Sequence, residues 1–385
     1  MAGATHGEAI VTTTTSFSNL PKVALSLLLG AALLTACSPP KPVRIGFIGG
    51  LSDRTSDTGE AGRNGLMLAV EQRNKAGGLK GRQIEIVVQD DGQKPEQAKA
   101  AIKFLIDAKV DVVVGPYTSA MAAAALPFIN EARMTMVSPV ASSLDFLGLD
   151  DYFIRVNRTT RDNARDYARQ IYQRGQRQVA VAYDTRNRSF STSWLQEFKL
   201  AFAAQGGALS AEVPFESQPD LGYIDVAQQM LASKPDGVVF IASAIDVARL
   251  AQQLTKLAPD MPKSAAEWAA TESLLELGGK SVEGLLIAQS HNRNDTSERF
   301  QGFRKAYFDR FGREPGFSSV ASFDAALILF QALERQSGDE SLKDAVLKYG
   351  PYPGLHQPIN FDKFGDTPRP VFFTEIRAGQ FVPVK

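Results

Sequence analysis

Residues 43–78 read VRIGFIGGLSDRTSDTGEAGRNGLMLAVEQRNKAGG, a short apolar run, a polar loop rich in glycine, then a longer stretch on a helical period. The first part, VRIGFIG at Val43–Gly49, is a strand by its length and branched residues. Within 62–75, Leu66, Ala69, Val70 and Arg73 recur at helical spacing, and Gly77-Gly78 ends the helix in the usual way. Gly59, Gly62 and Gly65 suggest a flexible loop entering that helix. Outward from this unit the alternation continues. QIEIVVQ (83–89) is a second strand. Pro95 opens a helix whose buried stripe is Ala98, Ile102, Leu105 and Ile106. VDVVV (110–114) is a third strand, a helix follows from Ser119, and 134–137 is a fourth strand.

Such a βαβαβαβ series with short connections implies a parallel sheet covered by helices on both faces. The series then repeats, with strands at 178–183, Ala208–Phe215, 237–242 and 284–289. Helices are expected near 193–204, Tyr223–Ala232 and 245–256, then at 297–311 and 319–336, before a final strand pair around Ala378-Gly379. The fold class is α/β, in two doubly wound parallel-sheet lobes.

The 385 residues suffice for two cores, and 42 basic residues balance 42 acidic ones. A neutral chain without a dense basic stretch gives no reason to expect nucleic acid. Its one cysteine, Cys37, cannot make an internal disulfide. Histidines occur only at 6, 291 and 356, so no metal site is expected, and no cofactor either. Residues 23–36 read VALSLLLGAALLTA after Lys22, the length of a signal-peptide core. They end Leu34-Thr35-Ala36-Cys37, which resembles the bacterial lipobox and makes Cys37 the expected lipidation site. Residues 1–36 are then a signal peptide of the lipoprotein type, and Ser38-Pro39-Pro40-Lys41-Pro42 completes a stiff tether over 37–42. No second hydrophobic run is expected to span a membrane.

Catalytic signatures are missing. The glycines of 46–50 and 59–65 do not spell G-x-G-x-x-G, no G-x-x-x-x-G-K-S/T run follows a strand, and no G-x-S-x-G elbow occurs. Asp90-Asp91 and Asp150-Asp151 are adjacent pairs whose side chains diverge on a strand end, so they read as solvent-facing or capping residues. The chain is therefore not expected to be an enzyme.

In its order of segments the chain resembles the type I periplasmic-binding-protein family, and most of all its leucine/isoleucine/valine-binding and amide-receptor members. The carrying segments are IGFIGGLSDRTSDTGEAGRNGLMLAVEQRNKAGGLKGR, VVQDDGQKPEQA, VVVGPYTSAMAAAALPFINE, MVSPVASS, VAVAYDTRN, VEGLLIAQ, FDAALILFQAL and INFDKFGD. The resemblance implies two lobes joined by a three-segment hinge, with crossings near 155–157, 287–290 and 358–361. Lobe 1 would be 43–156 plus 290–358 and lobe 2 would be 157–289 plus 359–385, with the ligand between them.

It also implies site residues. Ser119, in Gly115-Pro116-Tyr117-Thr118-Ser119, and Ser142, in Ser138-Pro139-Val140-Ala141-Ser142, match the positions that hold a ligand carboxylate, and Tyr117 and Val140 belong to the same segments. Both serines could equally be helix caps, although a helix start also favours an anion. Phe190 matches an aromatic cover. Glu267, counted back without gaps from Glu283, matches the acid that meets a ligand ammonium. If 267–268 is extended, only one of Glu267 and Trp268 faces the pocket. Thr58 and Ser243 stand where many relatives carry tyrosine, so leucine-like specificity does not follow.

The leading expectation is an exported envelope lipoprotein, facing the periplasm or the outer-membrane side. It would capture an amino acid, amide or small carboxylate for an ABC permease by hinge closure. A ligand-sensing regulator of the same fold, acting on a membrane or cell-wall partner, is the alternative.

Overall fold

The computed structural model describes residues 1–4, 6–7, 9–14, 40–53 and 55–384, so the expected lipobox and Cys37 lie outside the described residues. The chain divides into residues 1–41, whose described part carries neither helix nor strand, and residues 42–385, which hold every element named below.

The second unit is built on two main sheets. β1 (Val43–Gly49), β2 (Ile84–Asp90), β3 (Val112–Val114), β4 (Met136–Ser138) and β5 (Phe153–Arg155) form a parallel sheet in the order β2-β1-β3-β4-β5. β6 (Gln178–Asp184), β7 (Ala208–Phe215), β8 (Gly237–Ile241), β9 (Lys263–Ala265) and β10 (Leu286–Gln289) form the other, in the order β7-β6-β8-β9-β10. β11 (Tyr352–Pro353) and β12 (Pro358–Ile359) pair with each other, and β13 (Phe372–Arg377) and β14 (Gln380–Pro383) extend the second sheet antiparallel beyond β10.

Period-two alternation sends each strand's side chains into two cores, which is what makes the lobes doubly wound. Ile45, Phe47, Val112 and Val114 face the helices Asp57–Lys75, Glu298–Phe311 and Phe317–Arg335. Ile48, Val113 and Met136 face the helices Pro95–Asp107 and Ser119–Ala132. In the second lobe Ala180, Ala182, Val238 and Phe240 meet the helices Tyr223–Ala232 and Ala244–Leu257. Val179, Val181, Val239 and Ile241 meet Thr160–Gln173 and Arg188–Ala203 through Tyr167, Trp194, Phe198 and Phe202.

Several sequence expectations change here. The helix read from residue 62 begins at Asp57, and Gly59, Gly62 and Gly65 lie on it as a packing stripe, not in a flexible loop. A Cβ on Gly59 would stand 2.1 Å from the Gly50 carbonyl oxygen, on Gly62 2.0 Å from the Tyr117 ring, and on Gly65 2.2 Å from the Ser319 carbonyl oxygen. The absent side chains let the helix seat directly on its neighbours. Phe317–Arg335 is apolar and long enough to cross a membrane, but it is a core helix with most of its surface buried. Asp91 does not face solvent: it is fully buried and its Oδ1 accepts from Gln93 N at 2.9 Å. Gly279-Lys280-Ser281 sits in a 3-10 turn before β10, not between a strand and a helix as a phosphate loop requires.

The chain passes between the sheets after β5, after β10 and before β13. Arg155 marks the first passage. Its Nε donates to Asp366 Oδ1 at 2.7 Å, its Nη1 to the Ser143 carbonyl at 2.7 Å, and its backbone N to the Gly365 carbonyl at 2.9 Å. That buried cluster ties Gly365 and Asp366 to the end of β5.

Candidate functional site

In each sheet the strand order reverses beside the first strand, between β1 and β3 in one and between β6 and β8 in the other. Such a reversal leaves a crevice at the carboxyl ends of the strands, where diverging loops cannot cover it. Loops from both lobes meet there around a cavity whose empty space, open mouth included, is about 460 Å³.

From the first lobe, β3 leads through Tyr117 and Thr118 to Ser119, the first residue of its helix. β4 leads to the loop holding Val140 and Ser142. Ser138 ties the two loops: its hydroxyl donates to the Pro116 carbonyl at 2.7 Å and accepts from Ala141 N at 3.1 Å. Ser119 Oγ then accepts from Ser142 N and Ser143 N, both at 3.3 Å. As acceptor in both bonds, the Ser119 hydroxyl keeps its own proton to donate, at the end of a helix whose dipole favours an anion. Thr58, in the first turn of the Asp57–Lys75 helix, lines the same cavity. Tyr117 offers it only ring surface. Its hydroxyl is bonded to Ser322 Oγ at 2.5 Å, and burial pushes its pKa well above the ordinary phenol range.

From the second lobe come Phe190, in the first turn after β6, and Glu267 with Trp268 after β9. Residues 267–269 form a 3-10 turn, not an extended segment, so Glu267 and Trp268 both line the cavity and the expected choice between them does not arise. Phe190 and Trp268 meet edge to face, with ring centroids 5.8 Å apart. The Glu267 carboxylate accepts from Asn163 Nδ2 at 2.6 Å and from Trp194 Nε1 at 3.1 Å. Burial raises its pKa above the usual glutamate value, opposed by these hydrogen bonds and by the nearby charge of Arg158. Arg158 is itself paired with Asp166 at 2.7 Å.

The structure thus brings together Thr58, Tyr117, Ser119, Val140, Ser142, Phe190, Glu267 and Trp268. Ser243 is not with them. It caps the Ala244–Leu257 helix, its Oγ donating to Asp246 Oδ2 at 2.6 Å, inside a buried cluster with Ser217 and Tyr223. Serine after a strand end serves a cap and a ligand equally well, and only the surrounding fold separates the two uses.

Thr118, Asn157, Asn187, Ser290 and Phe317 also line the cavity and were not singled out from the sequence. Asn157 and Ser290 fall in the segments expected to cross between lobes. The Asn187 side chain accepts no bond from its own helix start. Instead its Oδ1 accepts from Ala120 N of the opposite lobe at 3.0 Å.

Comparison with known proteins follows the same lines. The family model described as "Periplasmic binding protein" matches residues 42–380. The Leu/Ile/Val-binding protein of Escherichia coli (strain K12) is 22% identical over 355 residues, covering 88% of this chain and 93% of that protein. Among solved structures, a leucine-binding protein of Thermotoga maritima superposes with a TM-score of 0.83 at 24% identity, over 89% of this chain and 98% of the other. A solute-binding protein of R. palustris in complex with benzoate gives 0.80 at 19% identity, over 89% and 95%. The chain belongs to the periplasmic binding protein family, in its type I form, a family of extracytoplasmic solute-binding receptors and not of enzymes.

Proposed function

We propose that this receptor captures a zwitterionic α-amino acid, is anchored to the envelope through Cys37, and delivers its ligand to an ABC permease by closing its two lobes. One observation carries the ligand class. The cavity sets a serine pair at a helix start on one lobe against a buried carboxylate on the other. The first end suits a carboxylate and the second suits an ammonium. The hydrogen-bond partners of Glu267, Asn163 and Trp194, are neutral, so a ligand cation would offset its desolvation. In this arrangement Ser119 and Ser142 hold the carboxylate, Glu267 the ammonium, and Phe190, Trp268 and the Tyr117 ring cover the remainder. The curated relatives named for leucine, isoleucine and valine support the class without fixing the side chain.

The test is calorimetric. The tightest α-amino acid from a thermal-shift screen and its deaminated analogue are titrated into the leaderless protein. The amino acid should bind better by about 2–5 kcal/mol, and Glu267→Gln should remove most of that difference. Equal affinity for both would refute the amino-acid class while leaving the receptor fold and anchor untouched.

A further inference from the structure

A second cavity opens beside the first and shares two of its walls, Thr58 and Phe317. It is the larger of the two, with empty space of about 1200 Å³ including its mouth. Asp57, Thr271, Glu276, Tyr307 and Arg313 are among its lining residues, so both lobes contribute to it. Four carboxylates stand there, but two are already answered: Glu272 pairs with Arg293, and Glu314 with Arg304 at 2.6 Å. Asp57 and Glu276 remain against Arg313. Asp57 has only neutral hydrogen-bond partners among the described residues: Thr271 Oγ1 donates to it at 2.7 Å and Thr58 N at 2.8 Å, with Ser273 alongside. Tyr307 also lines the chamber; it is fully buried, with Ser319 and Asn64 beside its hydroxyl.

Between the two cavities stands Thr58, a small side chain where a large one would make a wall. We propose that the ligand is an α-amino acid with a long cationic side chain, whose far end passes between Thr58 and Phe317 into this second chamber and pairs with Asp57. This rests on the amino-acid assignment of the first cavity. The head group occupies the serines and Glu267, and the aliphatic stem lies along Phe317. The terminal amine or guanidine then gives Asp57 a positive partner, which none of its hydrogen-bond partners among the described residues supplies. Burial raises the Asp57 pKa, so the empty chamber holds a carboxylate whose charge is opposed, and a cation relieves it.

Lysine and norleucine differ at the far end by one amine, and both are titrated into the leaderless protein, wild type, Asp57→Asn and Thr271→Val. The wild type should bind lysine about tenfold or more tighter than norleucine. Asp57→Asn should erase that margin through a loss of lysine affinity, while norleucine binds at least as well as before. Thr271→Val breaks the bond between lobes without touching the charge, so it should preserve the margin. Norleucine binding as well as lysine to the wild type would overturn the inference alone. So would an equal loss of both ligands in Asp57→Asn, which would assign Asp57 to closure only. If no α-amino acid binds the wild type, the amino-acid function falls and this inference falls with it.

Discussion

Gly62→Ala sets two measurable effects against each other. In a helix interior alanine is favoured over glycine by about 1 kcal/mol. Here the new Cβ would lie 2.0 Å from Tyr117 Cε1, 2.4 Å from Cζ and 2.8 Å from Cδ1. Carbon atoms rest at about 3.5–4.0 Å, so the ring must move by about 1.5 Å. It has little room. The ring is buried, packs on Phe47 at 5.3 Å between centroids, and holds Ser322 through its hydroxyl. Overpacking of this kind costs about 1–3 kcal/mol, and tipping the hydroxyl off its partner adds about 1–3 more. The net expectation is a loss of about 1–5 kcal/mol. The control is Gly302→Ala, on the exposed face of the Glu298–Phe311 helix with nothing within 4 Å of the new atom. It should gain about 0.5–1 kcal/mol. Urea denaturation of both variants gives the two signs, and a ligand titration should show weaker binding in Gly62→Ala only, because Tyr117 lines the cavity. A Gly62→Ala protein as stable as wild type would refute the packing account and return these glycines to a flexible role.

Three further outcomes are expected. Burial, joined by the charges of Asp90 and Asp53, raises the Asp91 pKa from 3.8 to about 7. The folded state therefore binds the proton more tightly, and stability falls as pH rises from about 4 to about 7. Asp91→Asn should then stabilise at pH 8, by about 4 kcal/mol at most, and hardly at all at pH 4; equal effects in urea melts at both pH values would contradict this. Ser142→Ala should weaken the amino-acid ligand by about 1.5–3 kcal/mol in calorimetry while the unliganded melting curve stays in place. Cys37→Ser should move the mature protein from the detergent phase to the aqueous phase in a detergent separation; wild-type protein found in the aqueous phase would rule out the anchor.

Most strands were legible because β-branched runs such as VVV in β3 and GVVFI in β8 are fully buried, and such runs survive in one dimension, whereas β5, Phe-Ile-Arg, was too short to be read. Thr160–Gln173 was not. Its sequence TRDNARDYARQIYQ buries Ala164, Tyr167, Ala168 and Ile171, a stripe with one large aliphatic residue in a strongly polar segment. β9, Lys-Ser-Ala, carries no hydrophobic signal beyond its alanine and exists because β8 and β10 flank it. The glycine stripe could be counted, but its meaning needs Gly50 just past the end of β1, Tyr117 from the loop after β3 and Ser319 from the Phe317–Arg335 helix. The site divides the same way. Ser119 and Ser142 could be placed because short loops follow their strands directly. Ser243 has the same local form and a different use, since its own helix and Asp246 claim its hydroxyl. Glu267 and Trp268 share the cavity only because a 3-10 turn overrides the alternation of an extended chain.

Closure itself can be weighed from the bonds that cross between lobes. Thr271 Oγ1 donates to Asp57 at 2.7 Å, Ala120 N to Asn187 at 3.0 Å, Ser189 Oγ to Asp145 at 2.6 Å and Leu144 N to Ser193 Oγ at 3.3 Å, while Arg186 stands 3.4 Å from Asp53. All of these groups find water when the lobes part, so each contact, the partly buried ion pair included, contributes only about 0.5–1.5 kcal/mol net. Closing without ligand also strips water from Glu267 and Asp57, whose hydrogen-bond partners are neutral. The two effects oppose each other, which keeps the empty closed state from being strongly favoured. Turning a two-state equilibrium from 1:99 to 99:1 takes about 5.5 kcal/mol of differential binding. A neutral ligand meeting both lobes through ordinary hydrogen bonds supplies little of that. One that places a carboxylate on Ser119 and Ser142 and a cation on Glu267 gains about 1.5–3 kcal/mol at each charged contact, and it removes the desolvation that opposed closure. The carboxylates that make the empty cleft reluctant to shut are thus the same groups that make a charged ligand able to shut it.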